Sequence, residues 1–374
     1  MKQHLVALAA AALLTAACSS IPPYERPQLP VTDSFPATAA PAGDGGAAPA
    51  AADLEWRRFF TDGRLQSVID LALAGSRDLR VAALAVEKAQ ALYRIQRSEL
   101  TPAVGVMAAG ERSRVPERMT EDGAAYLSSR YSVSLGTLSW EIDLFGRLRS
   151  LKAGALEQYL ASEQTAAAAR SSLLAAVAAS YLSLAADREA LALAEATLAA
   201  HRSSLELIQR SRDLGVASDL DLEQAKSQVA AARAAVAAAG GNLATDRSAL
   251  ELLVGAPVPP ELLPDRLAAV AELPEVAAGI PSQVLLRRPD IAAAEHRLRA
   301  ANASIGAARA AFFPSITLTA GVGLLSPDLS GLFSSGTRTW TFAPQLLAPL
   351  FASGSLKANL RGAEVDREVA VAQY

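Results

Sequence analysis

The sequence predicts a mainly α-helical chain with a membrane β-barrel part, in which long antiparallel coiled-coil helices are joined to four strands. Three observations predict it. Apolar residues make up 51% of the 374 residues but aromatic ones only 5%. Alanine fills much of that gap, and Ala is both the best helix former and small enough to pack closely. Apolar residues recur at every seventh position through two long stretches, which is the heptad of a coiled coil. Other segments alternate apolar and polar residues, the period of a strand with two unlike faces.

The chain opens as an export signal over residues 1–17. Lys2 gives a positive start, Leu5 to Leu14 an apolar core, and Ala16-Ala17 a small pair before Cys18. Cys18 is the only cysteine, so it has no partner for an internal disulfide. The small pair and the cysteine resemble a bacterial lipobox, with Cys18 as the lipidation site. Thr15 departs from that pattern, since Leu is usual there, and Ser19 rather than Asp points to release to the outer membrane. Residues 18–55 are rich in Pro, Ala and Gly and read as a lipidated wrap or linker. The net charge of −3 gives no electrostatic footprint for nucleic acid.

An internal duplication organises the rest. Asp78 to Pro102 aligns without a gap on Asp290 to Pro314, with Leu79, Val86, Tyr93 and Leu100 matching Ile291, Leu298, Ile305 and Phe312. Phe145-Gly146 finds a weaker echo in Phe351 and Gly354. The first repeat, 56–254, is expected to hold a helix, strands at about 103–114 and 128–145, and a helical hairpin at about 146–254. A Pro-rich segment, 255–288, separates it from the second repeat, 289–374, with strands at about 315–325 and 339–351. The second repeat has no hairpin of its own, so the sequence reads as C-terminally incomplete.

In the hairpin, Val177, Leu184, Leu191, Leu198 and Leu205 recur by sevens, as do Leu222, Val229, Val236, Leu243 and Leu250. The first helix, from Gly146 to Leu214, would be on the order of 100 Å long. Gly215 is a natural C-cap, and Ser218 with Asp221 three residues on resembles a capping box. No helical run reads as a membrane span. The most apolar, Ser171 to Ala186, is bounded by Arg170 and Asp187 and falls short of the ~20 residues needed.

Strands must therefore do any spanning. Ile316, Leu318, Ala320, Val322 and Leu324 alternate with Thr317, Thr319, Gly321 and Gly323, as a lipid-facing strand requires. Trp340, Phe342, Leu346, Ala348 and Leu350 continue that pattern, with Pro344 at a bend. Tyr131, Val133 and Leu135 change phase to Leu138, Trp140, Ile142 and Leu144, which predicts a bulge near Gly136. Ala103 to Ala109 is the weakest strand, and Arg112 to Ala125 and Ser326 to Arg338 read as outward loops. Four strands cannot close a barrel, which takes about eight. Open edges in lipid cost several kcal/mol per unpaired group, so several chains must share one barrel.

Four runs carry a family resemblance: Cys18 to Pro27, Trp140 to Arg149, Arg287 to Ile291 and Ala301 to Ser315. They are similar to the TolC-like outer-membrane factors, in particular the OprM branch of multidrug efflux lipoproteins. The resemblance implies a homotrimer with a twelve-stranded barrel, four strands per chain, on a periplasmic α-barrel with an equatorial belt. That belt would take the N-terminal wrap and 255–288. It also implies the outlet of a tripartite efflux pump, a passive trans-periplasmic duct for drugs and other small toxic compounds. The partners would be a periplasmic adaptor (membrane fusion) protein, an inner-membrane proton-driven transporter and the lipid bilayer. The matching hairpin tip, with Gly215, Val216, Ser218, Asp219 and Asp221, would meet the adaptor and gate the duct. Arg212 departs from the aromatic residue expected there. A similar duct for protein secretion or metal export, or a helical lipoprotein scaffold, are the alternatives.

Catalysis finds little support, and an enzyme is not expected. His4 lies in the signal, and His201 and His296 lie on separate helices. No Ser-His-Asp arrangement, HExxH or phosphate loop stands in context, and no cofactor or metal is expected. Asp219 and Asp221 could form an acidic ring favouring cations in an oligomer, or simply suit a helix N-terminus.

Overall fold

The computed structural model describes residues 20–28, 55–120, 123–267, 270 and 282–374. Cys18 and residues 1–17 lie outside them. The elements in chain order are α1 (Gly63–Gly75), α2 (Arg77–Ser98), β1 (Gly105–Val115), β2 (Tyr126–Ile142), α3 (Arg147–Asp213) and α4 (Asp219–Val254). After them come α5 (Pro289–Ala310), β3 (Ser315–Ser326), β4 (Arg338–Leu347) and α6 (Ser355–Gln373). The chain forms two compact units, one of Met1–Leu29, Ala85–Glu163 and Ile291–Tyr374, the other of Pro30–Leu84 and Gln164–Asp290. The first unit therefore takes its sheet from both sequence repeats.

That sheet is four-stranded and antiparallel throughout, in the order β1-β2-β3-β4. Its register aligns Val106, Leu135, Val322 and Trp340 in one row across all four strands. Strand alternation puts Ile316, Leu318, Phe342 and Leu346 on the same face and Thr317, Thr319, Thr339 and Thr341 on the other. One face is thus apolar from edge to edge. The expected bulge lies between Thr137 and Trp140, where Ser139 takes a φ of 51°. The extra residue returns Trp140 and Ile142 to the apolar face that Leu135 occupies. Gly136 permits the close approach beside it, because a Cβ there would lie 2.2 Å from the Ala320 carbonyl oxygen.

The strands differ in extent from the expectation. β1 reaches Val115, next to the expected end at about 114: Glu111 to Arg114 pair with Arg130 to Leu127, so Arg112 to Arg114 lie in the strand and not in the outward loop. Backbone pairing does not stop where side chains turn polar, so β1 runs on past Ala109. β4 ends at Leu347, two residues before Pro349, which has no N–H for a ladder.

In the second unit, Leu65, Val68, Ile69 and Ala72 of α1 pack with Val177, Tyr181 and Leu184 of α3 and Leu250 and Val254 of α4. Val258 and Leu263, from the Pro-rich segment, complete this core. Gly75 and Gly255 let the chain cross itself, since a Cβ on Gly255 would lie 2.4 Å from the Gly75 oxygen. The Tyr181 hydroxyl donates to the Leu262 carbonyl at 3.2 Å, and burial pushes its pKa up to about 12. Further along the hairpin, Leu198 packs with Val229, Ala232, Leu205 and Val236, so the heptads face each other.

By length and composition alone α3 does contain a stretch apolar enough to cross a membrane, with a mean hydropathy of 1.3. This differs from the expectation that no helical run is apolar enough. The apolarity comes from alanine, and the larger side chains Val177, Tyr181 and Leu184 are already committed to the core of the second unit.

Candidate functional site

Three features of the structure carry chemistry: the strand-to-helix junction, the N-terminal strap and the hairpin tip. At the junction, the Asp143 carboxylate accepts the backbone N–H groups of Leu148 (3.2 Å) and Arg149 (2.9 Å). An anion there offsets the unpaired donors of the helix start. Arg149 Nε also donates to it at 3.0 Å, and Arg147 forms a two-pronged pair with Glu141 at 2.8 and 2.6 Å. Gly146 and Gly354 each adopt a φ of 80° immediately before α3 and α6, so the sequence echo is also a conformational one.

The strap is residues 20–28, which run along α5. Ser20 donates to the Phe145 carbonyl at 2.9 Å. Asn302 Nδ2 donates to the Pro22 carbonyl at 2.8 Å. A Cβ on Gly306 would come within 2.6 Å of Ile21 Cγ1 and 2.8 Å of Ser150 Oγ, so only glycine leaves room for Ile21. Glu295, 8% exposed, accepts from Arg26 Nε and Nη2, Arg299 Nη2 and the Tyr24 hydroxyl. Burial would raise its pKa, but the bonds from Arg26 and Arg299 outweigh that and hold it below the usual glutamate value. The Arg299 guanidinium also lies 5.0 Å over the Tyr24 ring. Duplication places Arg94, Gln90 and Ala83 of α2 where α5 has Gly306, Asn302 and Glu295. The strap therefore distinguishes two otherwise similar helices. The described part of the N-terminal wrap lies along α5 in the first unit.

At the tip, Val216 N–H donates to Ser211 O and Gly215 N–H to Arg212 O, both at 2.8 Å. With Gly215 at φ 75° this is a Schellman ending. Ser218 and Asp221 form the capping box in both directions. The Ser218 hydroxyl and N–H donate to Asp221, which lowers its pKa. Arg212 reaches Asp219 across the tip, Nε to Oδ1 at 2.9 Å. Leu214, Val216 and Leu220 stand 80%, 82% and 66% exposed. Among the described residues no group of three or more His, Cys, Asp or Glu could hold a metal. His296 Nδ1 lies 2.6 Å from Glu157 and bridges α5 to α3.

The sequence matches the outer membrane efflux protein family over residues 68–256 and 280–374. The chain belongs to that family. Its sequence is 45% identical over 374 residues to the antibiotic efflux pump outer membrane protein ArpC of Pseudomonas putida, all of this chain and 77% of that one. A crystal structure of a membrane protein from Pseudomonas aeruginosa superimposes with a TM-score of 0.85 at 41% identity, covering 96% of this chain and 79% of that one. The open state of the Neisseria gonorrhoeae MtrE outer membrane channel gives 0.80 at 38%, covering 95% and 78%.

As an outer membrane efflux protein, the chain places its membrane part in the sheet and its capping machinery in the hairpin. Sequence reasoning missed the Glu295 cluster altogether. The one available signal was that Tyr24, Arg26 and Asn302 fall inside runs that carry the resemblance.

Proposed function

We propose that the chain is the outlet of a tripartite efflux pump, a trimer whose shared barrel passes antibiotics and other small toxic compounds without chemistry of its own. The observation that carries this is the sheet: one face apolar across four strands, with β1 and β4 each unpaired along an edge. Such edges are costly in lipid unless another copy pairs with them. Exposed Val81, Leu84, Leu92 and Ile95 on α2 add an apolar stripe that further copies would bury. ArpC, by its name, serves antibiotic efflux, which favours that cargo over protein or metal.

The tip is the adaptor contact and the gate in this reading. Gly215, Val216, Ser218, Asp219 and Asp221 form a rigid turn with apolar residues bared around it, suited to docking a periplasmic adaptor that links to an inner-membrane transporter. Cys18 is the lipidation site. Ser20 is held at Phe145, three residues beyond the end of β2, and two residues span at most ~7 Å. Acyl chains on Cys18 would thus start beside the end of the membrane sheet.

Deletion of the gene, with complementation by the full-length protein, tests the cargo. Antibiotic susceptibility should rise on deletion and return on complementation. Unchanged antibiotic susceptibility with a loss of metal tolerance or of secretion would replace this cargo with the other.

A further inference from the structure

We propose that the outer rim of the sheet holds the phosphate groups of an anionic glycolipid of the outer leaflet, through Arg112 and Arg114 of β1 and Arg338 of β4. The inference rests on the shared-barrel reading, because it places β1 of one copy beside β4 of the next.

The register puts all three arginines on the lipid side. Arg112 and Arg114 share a face with Val106, Ala108 and Gly110, and Arg338 shares one with Trp340 and Phe342. These belong to the apolar face. All three lie at the loop end of the sheet, since β1 finishes at Val115 and β4 begins at Arg338. They are exposed, and none forms an ion pair with a described residue. Arg130 differs: it pairs with Glu111 in register, on the opposite face. Closing the barrel brings the ends of the two edge strands together, so each seam gathers three guanidinium groups directly above the apolar band.

Cations in that position need an anion that approaches from the lipid side. A carboxylate on cargo would travel on the other face, past Thr317, Thr319, Thr339 and Thr341. A phosphorylated lipid presents its charge at the boundary between headgroup and acyl chain, where these arginines stand. Guanidinium forks bind phosphate oxygens two at a time, and Arg suits this better than Lys. Tyr131, whose ring packs over Gly110, adds an aromatic group of the kind found at membrane interfaces.

The test uses full-length trimers in phosphatidylcholine nanodiscs with or without bisphosphorylated lipid A, followed by native mass spectrometry of retained lipid. Wild type and R130S should retain lipid A. R112S/R114S/R338S should retain less by at least about tenfold, the ratio expected for one lost charge-assisted contact. Equal retention by the triple variant overturns the proposal. So does equal retention of dephosphorylated lipid A, or equal stabilisation of the trimer by inorganic phosphate alone. Should the triple variant not assemble, R338S and R112S/R114S are measured instead against the same criteria. Trimer mass and conductance on the same samples separate a failed barrel from a failed site.

Discussion

Arg26 and Glu295, 269 positions apart in the chain, form a three-contact pair: Arg26 Nη2 lies 2.9 and 3.1 Å from the two carboxylate oxygens and Nε lies 3.1 Å from one of them. This pair closes the strap on α5. Because Glu295 is buried and Arg26 about half exposed, replacing either partner has unequal effects. We predict that Glu295→Gln destabilises strap docking by about 2 kcal/mol, and Arg26→Ala by less than that, through partial solvent screening. Hydrogen exchange of the strap amides, read by mass spectrometry, measures both; equal protection in all three proteins contradicts the clamp.

The same pair predicts a pH dependence. A carboxyl with a lower pKa folded than unfolded stabilises the fold above its unfolded value, ~4.3, and that contribution disappears as pH falls through the folded value. Glu295 is such a group. The strap should stay protected from neutral pH to about pH 5 and loosen below about pH 4, with Glu295→Gln showing no such loss. A wild-type strap that loosens no more than the variant in that window rules this out.

Gly306 is predicted to tolerate no side chain while Ile21 is docked. Gly306→Ala brings a methyl within 2.6 Å of Ile21 Cγ1 and 2.9 Å of its Cα. Overpacking of this kind costs about 1–3 kcal/mol. Thermal unfolding of the variant should fall accordingly, and Ile21→Gly should recover part of the loss. No recovery would mean that Ser150, not the strap, sets the limit.

The tip turn is predicted to depend on backbone geometry more than on charge. Gly215 at φ 75° makes Gly215→Val costly by about 1–2 kcal/mol, and Ser218→Ala costs about 1 kcal/mol as a lost cap. Hydrogen exchange at the α4 start reads both. Cysteines introduced at Val216 and oxidised into cross-links between copies should block export, and undiminished export would contradict gating at the tip.

Much of this architecture was legible in the sequence because it is local. Heptads need only a period, so Val177, Leu184, Leu222 and Val229 announced the hairpin, and three-residue spacing announced the Ser218–Asp221 box. The phase change after Leu135 announced the bulge. Four strands with one apolar face implied further copies before any register was known. What could not be read is long-range. Nothing in the runs around Arg26 and Glu295 signals that they meet, since a charged pair leaves no periodic trace. The polar end of β1 leaves no hydrophobic pattern for a related reason: its pairing with β2 is made by backbone groups that every residue shares.

In the proposed duct, several copies close one conducting barrel. Single-channel recording on the full-length protein in planar bilayers, with its mass in the same preparation, tests it most directly. Heat-resistant trimers and discrete conductance steps are expected. Full-length protein that stays monomeric in the membrane and gives no conductance would contradict it.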